Sequence, residues 1–556
     1  MEIFGNGGIG GKASGLRRLE MALAEFEDDP GMPMEVHVPR FAVISADFFR
    51  DFVSRNGLER YVEEEAPDER IAVAFMRGEI SPMLSGELWK YIRGVREPVA
   101  VRSSSLLEDD LRTPLAGIYQ TKMIPNNQPS DEIRFRKLME AVKLVWASTY
   151  FSDSRQFHRG MGTSLEAEAM AVVLQDIVGR RYGDRFYPAV SGVARSYNFY
   201  AFGKARPEDG VVNLALGLGK TIVDGGLSWA YSPRIPGTPP PFGSASDMMK
   251  NTQSSFWCVN MGRITDYDPI RETEFMVSCP LEDAQYDDTL KLVASTYLSG
   301  SDLLVSGTGR EGPRVVNFAP ILKDRVIPLN GTLKTVMGMC SEVAGSPVEV
   351  EFAMEGPFRG EGASLGLLQV REICEAGEDV SIDPQELEDE RTVAFSKRAL
   401  GNGDISIGSV LYVKPDSFST SRTRAIASEI AVANRKMREM GADYLLIGFG
   451  RWGSTDPWLG IPVTWGHISG ARVILEISGP SMRVELSQGS HFFHNLSSFG
   501  VAYLSVNETL DGPVRWELIE SGCTTLHESE HVRCVSIPGG LRARIDGRKG
   551  LGVIIR

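Results

Sequence analysis

The sequence predicts an α/β protein built from several units, and three observations predict it. Short apolar, β-branched runs alternate with segments whose apolar residues return every three or four positions, the two periodicities of strands and helices. Residues 410 to 447 spell strand, helix, strand at the separation of a βαβ crossover. At 556 residues, 42% of them apolar, the chain exceeds one core, and a prior of about 150 residues per domain gives three or four units.

A glycine-rich loop opens the chain and leads into Leu16, Leu19 and Leu23, which keep helical spacing; Val36 to Ile44 then reads as a strand entered through Pro39. From Asp131, the residues Phe135, Leu138, Val142, Val145, Trp146 and Thr149 form the apolar stripe of one long helix ending before Gly160. Strands are expected at Met170 to Gln175, Ala189 to Ala194, Val211 to Leu216, Leu303 to Val305, Val348 to Phe352 and Leu365 to Ile373. Five prolines between residues 232 and 243 forbid regular structure and predict an extended loop or a lid hinge. The polar, acidic stretch from Glu375 to Glu390 marks a domain boundary. Beyond it come a strand at Val410 to Val413, N-cap candidates Ser417, Ser419 and Thr420, and a helix carrying Ile426, Ile430, Ala433, Met437 and Met440 on its buried face. A strand at Tyr444 to Ile447 follows, and then a β-rich tail with Val473 to Ile477, Val501 to Val506 and Gly552 to Ile555.

Charge narrows the function. With 59 basic against 73 acidic residues the net charge is −14, which disfavours nucleic acid or any extended polyanion as the main partner. The six cysteines show no CxxC spacing and no disulfide-scaffold density, so a reducing cytoplasm is expected. No stretch of 18 apolar residues and no signal-type N-terminus is present, so neither membrane insertion nor secretion is expected.

Three separated segments carry phosphate-compatible chemistry. Gly5, Gly7 and Gly10 satisfy G-x-G-x-x-G, but a dinucleotide fold needs a strand just before that loop and only four residues precede it. The Walker pattern fails as well, because Asn6 and Ala13 flank Lys12 at the diagnostic positions and Leu214 stands where Lys220 would need a glycine. The loop with Lys12 is thus either a flexible turn or a phosphate cradle. Arg102 follows Val99-Ala100-Val101 and precedes three serines, a strand end that suits phosphate or, equally, a pair with Glu108, Asp109 or Asp110. Glu349 and Glu351 share one strand face, and Gln369 with Arg371 repeats that pattern across a glycine-rich turn. A convergent carboxylate, amide and guanidinium would hold Mg²⁺ and triphosphate; a solvated hairpin is the other reading.

Taken in order, these residues resemble the N-terminal nucleotide-binding domain of the phosphoenolpyruvate synthase and pyruvate phosphate dikinase family, over about residues 5 to 374. Gly10-Gly11-Lys12-Ala13 resembles its GGK loop, Pro39 to Val43 its VPxGF strand, and Val101-Arg102-Ser103-Ser104 with Glu108-Asp109 its RSS…ED segment. Ala116-Gly117 is similar to its AG, Val172 to Val178 to its adenine hinge, Ser191-Gly192-Val193 to its SGV strand, and Leu216 to Gly225 to its GLGE loop. Pro347 to Ala353 and Leu368 to Arg371 resemble DIEWA and LQxR, the metal and triphosphate hairpin.

The resemblance implies an ATP-grasp fold, two α/β lobes clamping ATP, with lobes at residues 1–185 and 186–378 and a separate C-terminal α/β domain at 388–556. It implies that Lys12, Arg102 and Arg371 bind phosphates and act in catalysis. It further implies that Glu351 and Gln369 hold Mg²⁺, that Gln175, Asp176 and Val178 border adenine, and that Gly117 belongs to the same cofactor site. Two departures stand out. Lys220 replaces the acidic residue of GLGE, and the TSHAA-type sequence of the family's phosphohistidine domain is absent.

The acceptor is therefore open. His491, in Ser487 to His494, is the candidate phosphoryl carrier if its ring is neutral and exposed, and otherwise a structural histidine in a β core. His527 and His531 read as a solvated polar segment. Gly448 to Asp456 is a strand-end loop, either an anion site built on Arg451 and Trp452 or a turn with Trp452 and Trp458 packed inside. The expectation is an ATP- and Mg²⁺-dependent phosphotransferase of dikinase type, passing phosphate to a histidine, to a small molecule or to a phosphohistidine domain on another chain. An ATP-grasp ligase working through an acyl phosphate and a non-catalytic ATP-binding scaffold are the alternatives.

Overall fold

The computed structural model describes all residues except 26–31, 63–65, 108–117, 162–163, 166–167, 199–204, 224–225, 239–244, 251, 264–266, 358–361, 374–379, 381, 383–388, 455–457, 480–500 and 548. Gly117, His491 and most of the acidic boundary stretch thus lie outside the described residues.

The fold is α+β of the ATP-grasp kind, with mixed sheets and helices packed between and around them. The first sheet has five strands in the order Glu2–Phe4, Phe41–Ile44, Met170–Asp176, Val99–Ser105 and Thr121–Ile124. The second has six: Trp229–Tyr231, Val211–Ala215, Val190–Arg195, Val348–Glu355, Ser364–Glu372 and Glu35–His37. Each central strand reads as the apolar run seen in the sequence, because both of its faces are covered.

Between these sheets runs the opening helix, Gly10–Glu25, with Leu16 and Leu19 buried. Gly15 comes so close to the Val370 carbonyl that a Cβ there would sit at 2.8 Å from it. At the other contact Gly10, with φ of +71°, lies against the Ser104 backbone where any side chain would collide. One helix therefore touches both the Val99–Ser105 and the Ser364–Glu372 strands, and its N-terminal turn points at their junction.

A nine-stranded sheet forms the C-terminal part, with the expected crossover at its centre: Asn402–Val413 pairs parallel with Tyr444–Phe449, joined by the helix Thr423–Glu439. Smaller sheets of four and three strands decorate the second unit.

Several expectations need correction. The strand expected from Val36 to Ile44 is two strands in two sheets, Glu35–His37 and Phe41–Ile44, because Pro39 cannot donate to a ladder. The long helix from Asp131 is also two, Asp131–Ser148 and Ser152–Met161. Arg102 is not at a strand end but in mid-strand, since the serines after it keep pairing with Met170 to Val172. None of Ser417, Ser419 and Thr420 caps the Thr423–Glu439 helix; two 3-10 turns intervene and Arg422 takes the cap position. Met440 falls just past that helix and is 54% exposed, whereas Ile426, Ile430, Ala433 and Met437 are buried. Trp452 packs inside as one reading had it, but Trp458 is 66% exposed. His531 is buried, with Nδ1 2.7 Å from Glu429 Oε1, and so is no solvated residue.

Candidate nucleotide site

The two large sheets meet through Arg102. Its Nη1 donates to Gln175 Oε1 at 2.9 Å on its own sheet and to the Leu368 carbonyl at 2.8 Å on the other. Its Nη2 donates to Glu351 Oε2 at 3.0 Å and to Gln369 Oε1 at 2.7 Å. The hairpin register explains why those last two oxygens converge: Glu351 stands directly opposite Gln369, and Glu349 opposite Arg371, so all four side chains share one face.

One strand step along, Glu349 is gripped from two sides. Arg371 Nε donates to its Oε1 at 2.7 Å, with Nη2 on the same oxygen, and Arg195 Nε donates to its Oε2 at 2.7 Å. Arg371 thus sits in a short two-point ion pair, one carboxylate away from a second guanidinium.

Lys12 does not lie on a loop, as the sequence reading had it. It lies in the first turn of the opening helix, is buried, and donates from Nζ to Ser103 Oγ at 3.1 Å. Ser104 Oγ accepts from the Ala13 amide at 3.1 Å and donates to the Ile9 carbonyl at 2.8 Å, which stitches this turn to the arginine strand. A helix N-terminus with no acidic residue in its first turn presents amide donors and a positive partial charge, suited to phosphate oxygens.

The expected adenine hinge is partly engaged already. Gln175 is buried, with Oε1 on Arg102 and Nε2 without a partner among the described residues. Asp176 pairs with Arg40 at 3.0 Å, and its burial raises its pKa while Arg40 opposes the rise. Val178 packs against Gly366 at the end of the hairpin, where a Cβ on that glycine would meet it at 2.5 Å.

Residues 7–392 match a family model described as pyruvate phosphate dikinase, AMP/ATP-binding domain. The chain belongs to this family. It is an ATP/AMP-binding member of the pyruvate phosphate dikinase family, and the matched stretch contains both sheets, apart from the edge strand Glu2–Phe4, and every residue of the cluster around Arg102. No curated protein matches the chain.

Within this dikinase-type domain the oxygens of Glu351 and Gln369 fit a magnesium ion. Both already converge on a single cationic nitrogen, and carboxylate and amide oxygens are the hard donors that magnesium prefers. Residue-by-residue reading of the sequence overlooked Glu349 as the anchor of Arg371, and Arg195 altogether. The signal for Arg195 was available: it lies two and four residues beyond Val193 and Ser191, on the strand face that continues to Glu349. Lys220 begins a short helix, Lys220–Val223, with its ammonium 6.0 Å from the Trp257 ring centroid.

Proposed function

We propose that the chain is an ATP- and Mg²⁺-dependent phosphotransferase of the dikinase type, converting ATP, water and an acceptor to AMP, phosphate and the phosphorylated acceptor. The observation that carries this reading is the Arg102 guanidinium reaching from one sheet to the Glu351–Gln369 pair of the other. Phosphoryl transfer asks a protein mainly for positioning and charge neutralisation, and this junction supplies both.

In this reading Glu351 and Gln369 hold magnesium, which neutralises phosphate charge when bound. Arg102 yields those two oxygens to the ion and turns its planar fork to phosphate. Arg371, held by Glu349, lies beside the triphosphate, and Lys12 with the first-turn amides covers the other side. Gln175, Asp176 and Val178 line the base. The lobes are residues 1–185 and 186–378, residues 388–556 form the third domain, and the site of action is the cytoplasm. The acceptor is a histidine, on this chain or another, or a small molecule.

Incubating the full chain with Mg²⁺ and with β- or γ-labelled ATP tests the reading. AMP with label on phosphate and on an acid-labile protein adduct is the expected result. Label on peptide 487–494 that is lost in His491→Ala would make His491 the carrier. ADP formed only with a carboxylate and a nucleophile would establish a ligase instead, and ATP surviving unchanged with cell extract would establish a binding protein.

A further inference from the structure

Arg195 has no role in the function argued so far, yet its environment is that of a ligand-binding arginine. It sits on the Val190–Arg195 strand, on the same sheet face as Glu349, Glu351, Gln369 and Arg371. Its Nε is fixed on Glu349 Oε2 at 2.7 Å. Its side chain is 13% exposed, and Nη2 is buried with no hydrogen-bond partner among the described residues.

A buried donor on a charged group is costly to leave unmade. Glu349 Oε2 already accepts from Arg195 Nε, and Glu349 Oε1 from Arg371. The deficit at Nη2 vanishes if an oxyanion takes the open edge of the Arg195 fork. The guanidinium is suited to that task, since Nε can stay on the carboxylate while the terminal nitrogens turn to a second anion.

We propose that Arg195 is a phosphate-binding residue of this site, held in place by Glu349 and sharing that carboxylate with Arg371, so that two guanidiniums grip one phosphoryl oxyanion. The proposal rests on the nucleotide-site reading above and extends it. The Glu349 step lies about 7 Å along the strand from the Glu351 step, which puts the Arg195 subsite beside the metal oxygens. The oxyanion belongs to the polyphosphate tail of ATP or to a free phosphate bound next to it.

Binding to the full-length chain, with Mg²⁺, separates these cases. The probes are ATP, AMP, tripolyphosphate and inorganic phosphate, and the proteins are wild type, Arg195→Met and Arg195→Lys, with thermal melting as a fold check. Loss of one charge-assisted contact predicts roughly 10- to 100-fold weaker ATP and tripolyphosphate binding to Arg195→Met, with AMP unchanged. Weakened inorganic phosphate binding with ATP unchanged would identify a free phosphate as the occupant. Arg195→Lys keeps a cation on Glu349 but loses the fork, so it is expected to melt like wild type and to bind as weakly as Arg195→Met. The proposal is overturned if all four probes bind Arg195→Met as tightly as wild type. It is equally overturned if AMP weakens as much as ATP, or if Arg195→Lys restores full affinity, because either result reduces Arg195 to a prop for Glu349. Failure of wild type to bind ATP or tripolyphosphate would remove the nucleotide-site reading itself, and this proposal with it.

Discussion

Two cations on neighbouring strands of the first sheet have opposite fates. Val101 pairs with Lys122 and Arg102 with Thr121, so Arg102 and Lys122 are one register step apart and leave on opposite faces. Each meets a carboxylate from a distant part of the chain, Arg102 with Glu351 at 3.0 Å and Lys122 with Glu274 at 2.7 Å. The first pair is 12% and 13% exposed and its guanidinium also donates to the Gln175 and Gln369 side-chain oxygens and the Leu368 carbonyl; the second is 1% exposed on both sides. Lys122 also donates to the Pro269 carbonyl at 2.7 Å and lies 5.6 Å from the Phe275 ring centroid, and burial lowers its pKa despite Glu274. The same ion-pair chemistry therefore serves two ends. Where water and ligand can enter, the pair is exchangeable; where neither can, it is part of the wall.

The sealed pair should show the largest effect on stability. Lys122→Met takes from the buried Glu274 carboxylate its partner at 2.7 Å and leaves Lys137 at 3.7 Å, a loss toward the lower end of about 3–5 kcal/mol in urea unfolding. Replacing both residues by apolar ones should recover much of that loss. If the single variant unfolds within about 1 kcal/mol of wild type, the two pairs do not differ in kind.

At the open pair the expectation is reversed. Glu351→Ala should lower turnover to AMP by about 10²–10³-fold, the scale of removing one preorganised charge-stabilising group, while the urea midpoint stays near wild type; Arg371→Ala should lower turnover as much but, since its pair with Glu349 is only 6% and 3% exposed, should lower the midpoint too. Full activity in either variant would place the chemistry elsewhere.

What the sequence made legible follows from range. Strand identity and the hairpin face of Glu349, Glu351, Gln369 and Arg371 are local, set by alternation and one turn, and the register bears them out. The meeting of Arg102 with Glu351 and Gln369 was readable only through the order of motifs, since nothing in residues 99 to 105 specifies a partner some 250 positions away. Lys122 and Glu274 carried no signal at all, because a lysine in a strand and a glutamate in a loop look solvated until packing buries them. Pro39 was visible, but its effect, sending the two halves of one apolar run to different sheets, depends on the sheets being there.

A third site refines the contrast through pH. His158 is buried beside Tyr119 at 3.4 Å and Glu168 at 3.6 Å, and burial pushes its pKa down to about 4. Its native ring stays neutral where the unfolded ring, with an ordinary pKa near 6.5, takes a proton. Stability present above pH 6.5 is thus lost as pH falls toward 4, by up to about 3 kcal/mol. Glu168 works against this, because burial raises its pKa and the native state gains a proton there in acid. Urea midpoints at pH 7 and pH 5 should differ in wild type and converge in His158→Gln.

The smallest effect is expected from the residue next to Arg371. Glu372 points away from the site, as alternation requires, and meets Arg18 of the opening helix at 3.1 Å, with exposures of 47% for Arg18 and 27% for Glu372. This pair links the same two elements that Gly15 and Val370 bring together, so proximity to the site alone would predict an effect on nucleotide binding. Exposure predicts otherwise: solvent screens the pair and either side chain can turn to water. Arg18→Ala should cost under about 1 kcal/mol in urea unfolding, less still in high salt, and should leave the ATP dissociation constant unchanged. A tenfold change in ATP affinity would show that the helix carrying Lys12 is held in register by this pair, and that the boundary between wall and working contact lies farther out than burial suggests.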